Sequence, residues 1–359
     1  LTAVGEADLF HPACGHAAFI RGRGDPMNRI SRRSVLLAGA ALSATLLPTN
    51  AAWAQSTPAW PKAPAAGQKG SATNPINLGS NWTVGFTPAY SIPEIAAKNG
   101  WTVKVIDFPS SAQRATALAQ GSIDMAMLGW AAAIKMRTDG LPVVAIANSF
   151  SAGYAFVAKK NSGIKTIADL KGRSVAITIG SMNEMHLLSQ LATAKVPASD
   201  VKIVQMNLTD MPLALGRGDI DVMVSDEPAS SVALSAGLGE LLKYPNDTSM
   251  GGINANVTTT ESFIASNAAA TAMVIRALAD ATDFLNSNPN KLIEIAKGIF
   301  KRDDAIVKTA LTNIKLDYRI KTSEVAALAD WQLQLKQIKS KPDMDKFINQ
   351  TFLQQAGRA

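Results

Sequence analysis

Residues 162–194 read SGIKTIADLKGRSVAITIGSMNEMHLLSQLATA. Ser174–Thr178 is a short apolar run of strand length. Ile179–Asn183 follows with Gly180, Ser181 and Asn183, small residues suited to a turn. From Met182 to Ala194 the apolar residues Met185, Leu188, Leu191 and Ala192 fall on one side of a helix. A strand, a polar turn and a helix in that order form one repeating unit of an α/β fold.

Outward from this unit the same alternation recurs. Short apolar runs, mostly rich in Val and Ile, stand at Ile76–Gly79, Val103–Phe108, Ile123–Leu128, Val143–Ala147, Ala155–Ala158, Lys202–Met206 and Ile220–Val224. Helical patterns lie between many of them. Ala112–Gln120 carries Ala115, Leu118 and Ala119 on one face, and Thr209–Leu215 and Glu227–Ala236 are two more. The pattern predicts a mainly parallel sheet with helices on both faces. From about 261 onward the period is purely helical. Ser266 is expected to cap a helix with Met273, Val274, Ala277, Leu278, Ala281 and Leu285 in one stripe, and Asn288-Pro289 to break it. Further helices are expected at about 290–299, 303–313 and 323–338.

The first 54 residues read as processing rather than fold. Met27 precedes Arg32-Arg33 and an apolar run from Val35 to Leu47, and Ala52-Trp53-Ala54 offers the small residues of a cleavage site. That order is an export signal, and the run is short for a membrane anchor. The Ser31-Arg32-Arg33-Ser34-Val35-Leu36 segment resembles a bacterial twin-arginine signal, so the protein is expected in the periplasm. Residues 1–26 precede a plausible start Met and read as an over-extended start. Residues 55–73, rich in Pro, Ala and Gly, read as a flexible leader.

Composition narrows the chemistry. The net charge is +7 with no long Lys/Arg block, which disfavours nucleic acid as a partner. The one cysteine, Cys14, and two of the three histidines, His11 and His16, lie in the first 26 residues. Beyond the expected signal no cysteine remains, and His186 is the single histidine. No metal site, no cofactor and no catalytic constellation is expected. His186, on the helix that starts near Met182, reads as structural or solvated.

Several motifs now form a family pattern. Phe108-Pro109-Ser110-Ser111, Ala117–Asp124 and Gly129-Trp130 belong to it, as do Ser162–Ala176, Ala214–Val222 and Glu227-Pro228. Across roughly residues 74–300 the chain resembles the periplasmic substrate-binding proteins of ABC importers for nitrate, taurine and aliphatic sulfonates. That superfamily also holds the binders of thiamine-pyrimidine precursors. The resemblance implies two doubly wound α/β lobes of the periplasmic-binding-protein type II fold, joined by two hinge segments that let a cleft close on ligand. Lobe one is placed at 74–153 and 253–359, and lobe two at 154–252. The implied function is a non-enzymatic, monomeric solute receptor that delivers a small polar organic ligand to an ABC permease in the inner membrane, a sulfonate- or taurine-like anion being favoured. An alternative is a receptor for an amine-bearing or aromatic heterocyclic ligand such as a thiamine-pyrimidine precursor. A second alternative, a self-consuming pyrimidine synthase, conflicts with the missing cysteine motif.

In an open α/β sheet, ligands sit beyond the carboxyl ends of the strands. Four such ends carry small polar residues before a helix, where free N–H groups favour negative charge. They place Ser110, Ser111, Gly129, Trp130, Ser181, Met182, Asn183, Glu184, Asp226 and Glu227 among the candidate ligand-binding residues. The loop after the first strand adds Asn81, Trp82, Thr87 and Tyr90. Trp82, Phe86, Tyr90 and Trp130 are expected to form an apolar wall or stacking surface. Glu184, Asp226 and Glu227 also suit helix N-termini without any ligand. If Glu184 or Asp226 faces the cleft, a bare anion meets a like charge there and a ligand with an amine fits better. No Arg stands in the four loops; Arg114, one turn into its helix, is the nearest.

Overall fold

The computed structural model describes residues 58–358. The segments expected to be an export signal, its cleavage site and an over-extended start lie outside the described residues. No described helix is long and apolar enough to cross a membrane.

Among the described residues eleven strands form two sheets. β1 (Ile76–Ser80), β2 (Val103–Asp107), β3 (Met125–Gly129), β4 (Val143–Ala152), β10 (Ile253–Thr260) and β11 (Ile314–Leu316) build one, in the order β11-β4-β10-β3-β1-β2. β5 (Tyr154–Lys159), β6 (Ser174–Ile177), β7 (Lys202–Gln205), β8 (Val222–Asp226) and β9 (Gly239–Lys243) build the other, in the order β7-β6-β8-β5-β9. β1, β2 and β3 pair in parallel, as do β6, β7 and β8, while β10, β11, β5 and β9 pair antiparallel.

Both faces of each sheet are covered, and the period of two along the strands does the sorting. On β3, Met125 and Met127 face one core while Ala126 and Leu128 face another. In the second sheet Val222 and Val224 join Phe156, Val175 and Ile177 on one side. Met223 joins Ala155, Val157 and Ala176 on the other. The helices that matter for the cleft are α1 (Thr87–Lys98), α2 (Ser111–Ala119), α3 (Trp130–Thr138) and α4 (Met182–Thr193), followed by α5 (Met211–Arg217) and α6 (Ala229–Ser235). Each of the six follows the carboxyl end of a strand. Val84–Phe86 forms a 3-10 turn leading straight into α1.

Several expectations are corrected. β10, INANVTTT, lies in the middle of a sheet although the reading of 245–261 held no strand. Its polar side chains find partners inside: Asn256 donates to Leu128 O at 3.1 Å and Thr259 to Asp124 O at 2.7 Å. Strand β4 runs five residues beyond the expected Ala147 for the same reason, because buried Asn148 bridges Trp130 and Asp317 O. β9 and β11 were also not expected. Ser266 does not cap the long helix. It ends α7 (Glu261–Ser266), and the residue that precedes α8 (Ala268–Ser287) is Asn267, whose side chain makes no cap. On α4 the buried face is wider than the expected stripe: Met182, His186, Leu187 and Leu191 are buried, whereas Ala192 is exposed. The part of the leader from Pro58 onward is tied down. Trp60 stacks 4.4 Å from the Arg276 guanidinium, and Trp101 Nε1 donates to Pro61 O at 3.2 Å.

The chain passes between the sheets at Ala152–Tyr154 and again between Lys243 and Ile253. The two passages are stitched together. Ala152 N donates to Gly252 O at 2.5 Å, Gly153 N to Asn313 O at 2.6 Å and Glu227 N to Gly153 O at 2.9 Å. Gly153 has φ +88°, a conformation in which a Cβ is strained. Asn254 clamps the junction, donating to Ala152 O at 2.5 Å and accepting from Tyr154 Oη at 2.9 Å.

Candidate functional site

The parallel strands of both sheets present their carboxyl ends to one cleft. Its floor is a cavity of about 50 Å³. All four loops singled out in the sequence reach it: Ser110 and Ser111 after β2, Gly129 after β3, Ser181, Met182 and Asn183 after β6, and Asp226 at the end of β8. Asn81 joins them from the loop after β1, its Oδ1 buried with no hydrogen-bond partner.

Three helix N-termini border this floor. Ser110 caps α2 by accepting from Gln113 N at 3.2 Å, and Ser181 caps α4 by accepting from Asn183 N at 3.2 Å. α3 begins at Gly129, which offers no side chain and leaves its first-turn N–H groups without a side-chain cap. N–H groups left free at such termini attract negative charge. Asn183 is held by its own amide, which donates to Val224 O at 2.9 Å. Ser111 Oγ is occupied more weakly, accepting from Gly129 N at 3.4 Å.

A buried guanidinium and a half-buried carboxyl complete the floor. Arg114 turns inward from α2 and is 2% exposed; its Nε donates to Met127 O at 2.6 Å. Its Nη1 is buried without a partner. Burial lowers its pKa to about 10, with Asp226 and the nearby tyrosines pulling back toward the charged form. Asp226 stands across the same cavity, its Oδ1 enclosed and unpartnered. Burial raises its pKa to about 8, with Asn254 and Arg114 opposing and Glu227 adding to the rise. Arg114 Nη1 and Asp226 Oδ1, each enclosed and without a hydrogen-bond partner, therefore border one small space. Buried polar groups of that kind are costly unless something arrives to pair them.

The remaining expected residues sit elsewhere. Trp130 does not line the cleft. It is fully buried, donates to Asn148 Oδ1 at 3.0 Å and packs edge-on to Phe347. Thr87 is buried at the start of α1 and donates to Val84 O at 2.7 Å. Tyr90 lies behind the floor, its Oη 2.5 Å from Asp107 Oδ1 and 2.9 Å from Asn81 O, so it braces the Asn81 loop. Burial and the Asp107 carboxylate raise its pKa well above the usual phenol range. Glu184 folds back to accept from Gly180 N at 2.9 Å. Glu227, buried, accepts from Ser231 N at 3.0 Å at the start of α6. The expected aromatic wall is thus dispersed: Phe86 reaches the floor, and Trp82 stands at a wider outer chamber of about 430 Å³, which Glu227 also borders.

Sequence reasoning missed Thr83, Thr178, Asn207, Leu208, Tyr154 and Asn254, which also line the floor. Asn207 and Leu208 follow the carboxyl end of β7, so the strand-end rule applied to Lys202–Met206 would have found them. Tyr154 and Asn254 flank the crossings and carry no local signal.

Comparisons with known proteins agree with this architecture. The family model described as NMT1/THI5 like matches residues 97–292. A protein of Escherichia coli K12 named "putative aliphatic sulfonates-binding protein" is 31% identical over 149 residues, 41% of this chain. The chain spans about half of that relative's length, 47%. The crystal structure of the periplasmic aliphatic sulphonate binding protein SsuA from Escherichia coli superposes with TM-score 0.65 at 23% identity, covering 77% of this chain and 92% of that one. The periplasmic nitrate-binding protein NrtA from Synechocystis PCC 6803 gives TM-score 0.70 at 16% identity, covering 79% and 88%. The same fold also carries a desulfurization enzyme, DszB, at 13% identity and TM-score 0.61, so fold alone does not separate binding from catalysis.

Proposed function

The chain belongs to the NMT1/THI5-like family, and from that premise we propose that it is an exported solute receptor. It binds a small organic anion of the sulfonate type in the cleft and hands it to an ABC permease. The observation that carries the reading is Arg114 Nη1, buried and unpartnered at a floor bordered by the starts of α2, α3 and α4. An anionic head supplies the acceptors those donors lack, and a desolvated, charge-assisted hydrogen bond is among the stronger ones. Binding needs no nucleophile, and the residues that face the floor are donors, acceptors, the Arg114 cation and the Asp226 carboxyl.

Asp226 supports a second reading within the same function. With its pKa near 8 the carboxyl is largely protonated at pH 7 in the empty cleft. A plain sulfonate can accept its proton as a hydrogen bond. A ligand that carries an amine instead holds the carboxylate ionised and expels that proton.

Thermal unfolding against sulfonates, aminosulfonates, nitrate and carboxylates tests the proposal. A ligand at 100 times its Kd adds about 2.7 kcal/mol of stability. Arg114→Met, which keeps the apolar stem, is expected to remove the shift for every anion. An anion that binds the variant as tightly as the parent would refute the role given to Arg114. Calorimetry in buffers of different ionisation enthalpy separates the two ligand classes. Proton release at pH 7, lost in Asp226→Asn, marks an amine-bearing ligand, and none marks a plain anion.

A further inference from the structure

The two ionisable groups of the floor differ in how firmly they hold their charge. Arg114 reaches the floor from α2 and keeps its charge at neutral pH, since its pKa stays near 10. Asp226 reaches it from the end of β8, where the floor meets the outer chamber. Its Oδ1 is enclosed with no hydrogen-bond partner. A pKa near 8 leaves both forms of this carboxyl accessible close to neutral pH. At about 50 Å³ the floor is too small for a head group together with its hydration shell. A group of the ligand that lies there therefore meets the carboxyl directly. Two anionic oxygens in such contact need a proton between them, whereas an ammonium group needs the bare carboxylate.

We propose that Asp226 is the specificity-determining residue of the cleft and that its proton makes the choice: protonated, the floor takes a plain monoanion; ionised, it takes an anion that also bears an amine. The inference rests on the receptor reading above and turns its two ligand classes into two states of one site. The charged and titratable neighbours do not make this choice. Arg114 is the anion's partner in both states. Tyr154, paired with Asp226 across β5, is kept neutral by burial, and His186 of α4, against the Tyr154 ring, is neutral as well. Glu184 of α4 is held by Gly180 N, and Arg217 of α5 by Asp219. Glu227 and Arg302 border the outer chamber, so they meet the body of either ligand alike.

The test uses two ligands of equal size on the full chain, propane-1-sulfonate and 2-aminoethanesulfonate, which differ in a methyl against an ammonium group. Affinities are measured by titration calorimetry at pH 6, 7 and 8. The two complexes differ by one bound proton. The Kd of the plain sulfonate divided by that of the aminosulfonate is therefore expected to rise tenfold per pH unit, about a hundredfold over the range. That slope is the same wherever Asp226 titrates. Asp226→Asn keeps the shape and carries permanent N–H donors, so its ratio is expected to stay constant and to favour the plain sulfonate. Buffers of different ionisation enthalpy supply a measure that needs no variant: at each pH the parent takes up one more proton with the plain sulfonate than with the aminosulfonate. A constant ratio in the parent, an equally steep one in Asp226→Asn, or binding of only one of the pair at every pH overturns the inference and leaves the receptor reading standing. Binding of neither ligand at any pH overturns both.

Discussion

His186 lets the energetics of the interior be tested without any ligand. It lies on α4 with no exposed surface, its ring 4.6 Å from that of Tyr154 and tilted by 49°. Neither ring nitrogen has a hydrogen-bond partner. Burial with no compensating charge lowers its pKa from 6.5 to about 3. Between those values the unfolded chain binds a proton that the folded chain refuses. Stability is therefore lost as pH falls below 6.5, by about 1.4 kcal/mol per pH unit. Going from pH 7 to pH 5 is expected to cost the parent about 2 kcal/mol through this one residue. His186→Leu removes that loss. Asp226 and Glu227, whose pKa values are raised by burial, act in the opposite sense, because stability falls as pH rises from their unfolded to their folded values. Their contribution is common to both proteins and cancels in the difference. The assay is urea denaturation of parent and variant at pH 7, 6 and 5. The expected result is a gap in unfolding free energy that widens by about 2 kcal/mol toward pH 5. At pH 7 the variant is also expected to be no less stable, since two unsatisfied nitrogens leave the core. A gap that stays constant across the three pH values would refute the reasoning, since it would mean that His186 can take up a proton without unfolding.

Two further substitutions probe how the fold supports the cleft. Gly85 lies in the turn before α1, and a Cβ there meets the ring of Phe150, which is itself fixed edge-on to Phe86. Gly85→Ala is expected to destabilise by about 1–3 kcal/mol in urea denaturation and to weaken ligand binding through Phe86; unchanged stability would show that the Phe150 ring gives way. Asn254→Ala leaves Ala152 O and the Tyr154 hydroxyl buried without their partner. A loss of about 1–3 kcal/mol is expected by the same assay, and a loss below about 0.5 kcal/mol would mean that water replaces the amide.

What could be read locally was read correctly where the physical signal is local. The runs Ser174–Thr178 and Ile220–Val224 announced strands because β-branched and apolar residues suit a sheet buried on both faces. The polar turns Phe108–Ser111 and Ile179–Asn183 announced strand ends, since Gly and Ser stand where a chain must turn and cap a helix. Those ends meet at one cavity because parallel strands carry their carboxyl ends to the same edge. The sequence by itself therefore determined the α/β class and most of the loops that converge on the floor.

Tertiary structure alone decided the rest. Nothing in INANVTTT shows a central strand, because its Asn and Thr side chains are paid for by partners on β3 and in the Asp124 turn that no local window contains. Trp130 left its expected place at the cleft, and Arg114, the nearest arginine outside the four loops, reached the floor, for the same kind of reason. Both stand near helix N-termini at the cleft, yet the indole finds Asn148 and Phe347 in the core, while the guanidinium finds Met127 O and the cleft floor. Periodicity says which residues share a face. Which face a charge can reach depends on where buried acceptors lie, and those come from residues far away in sequence.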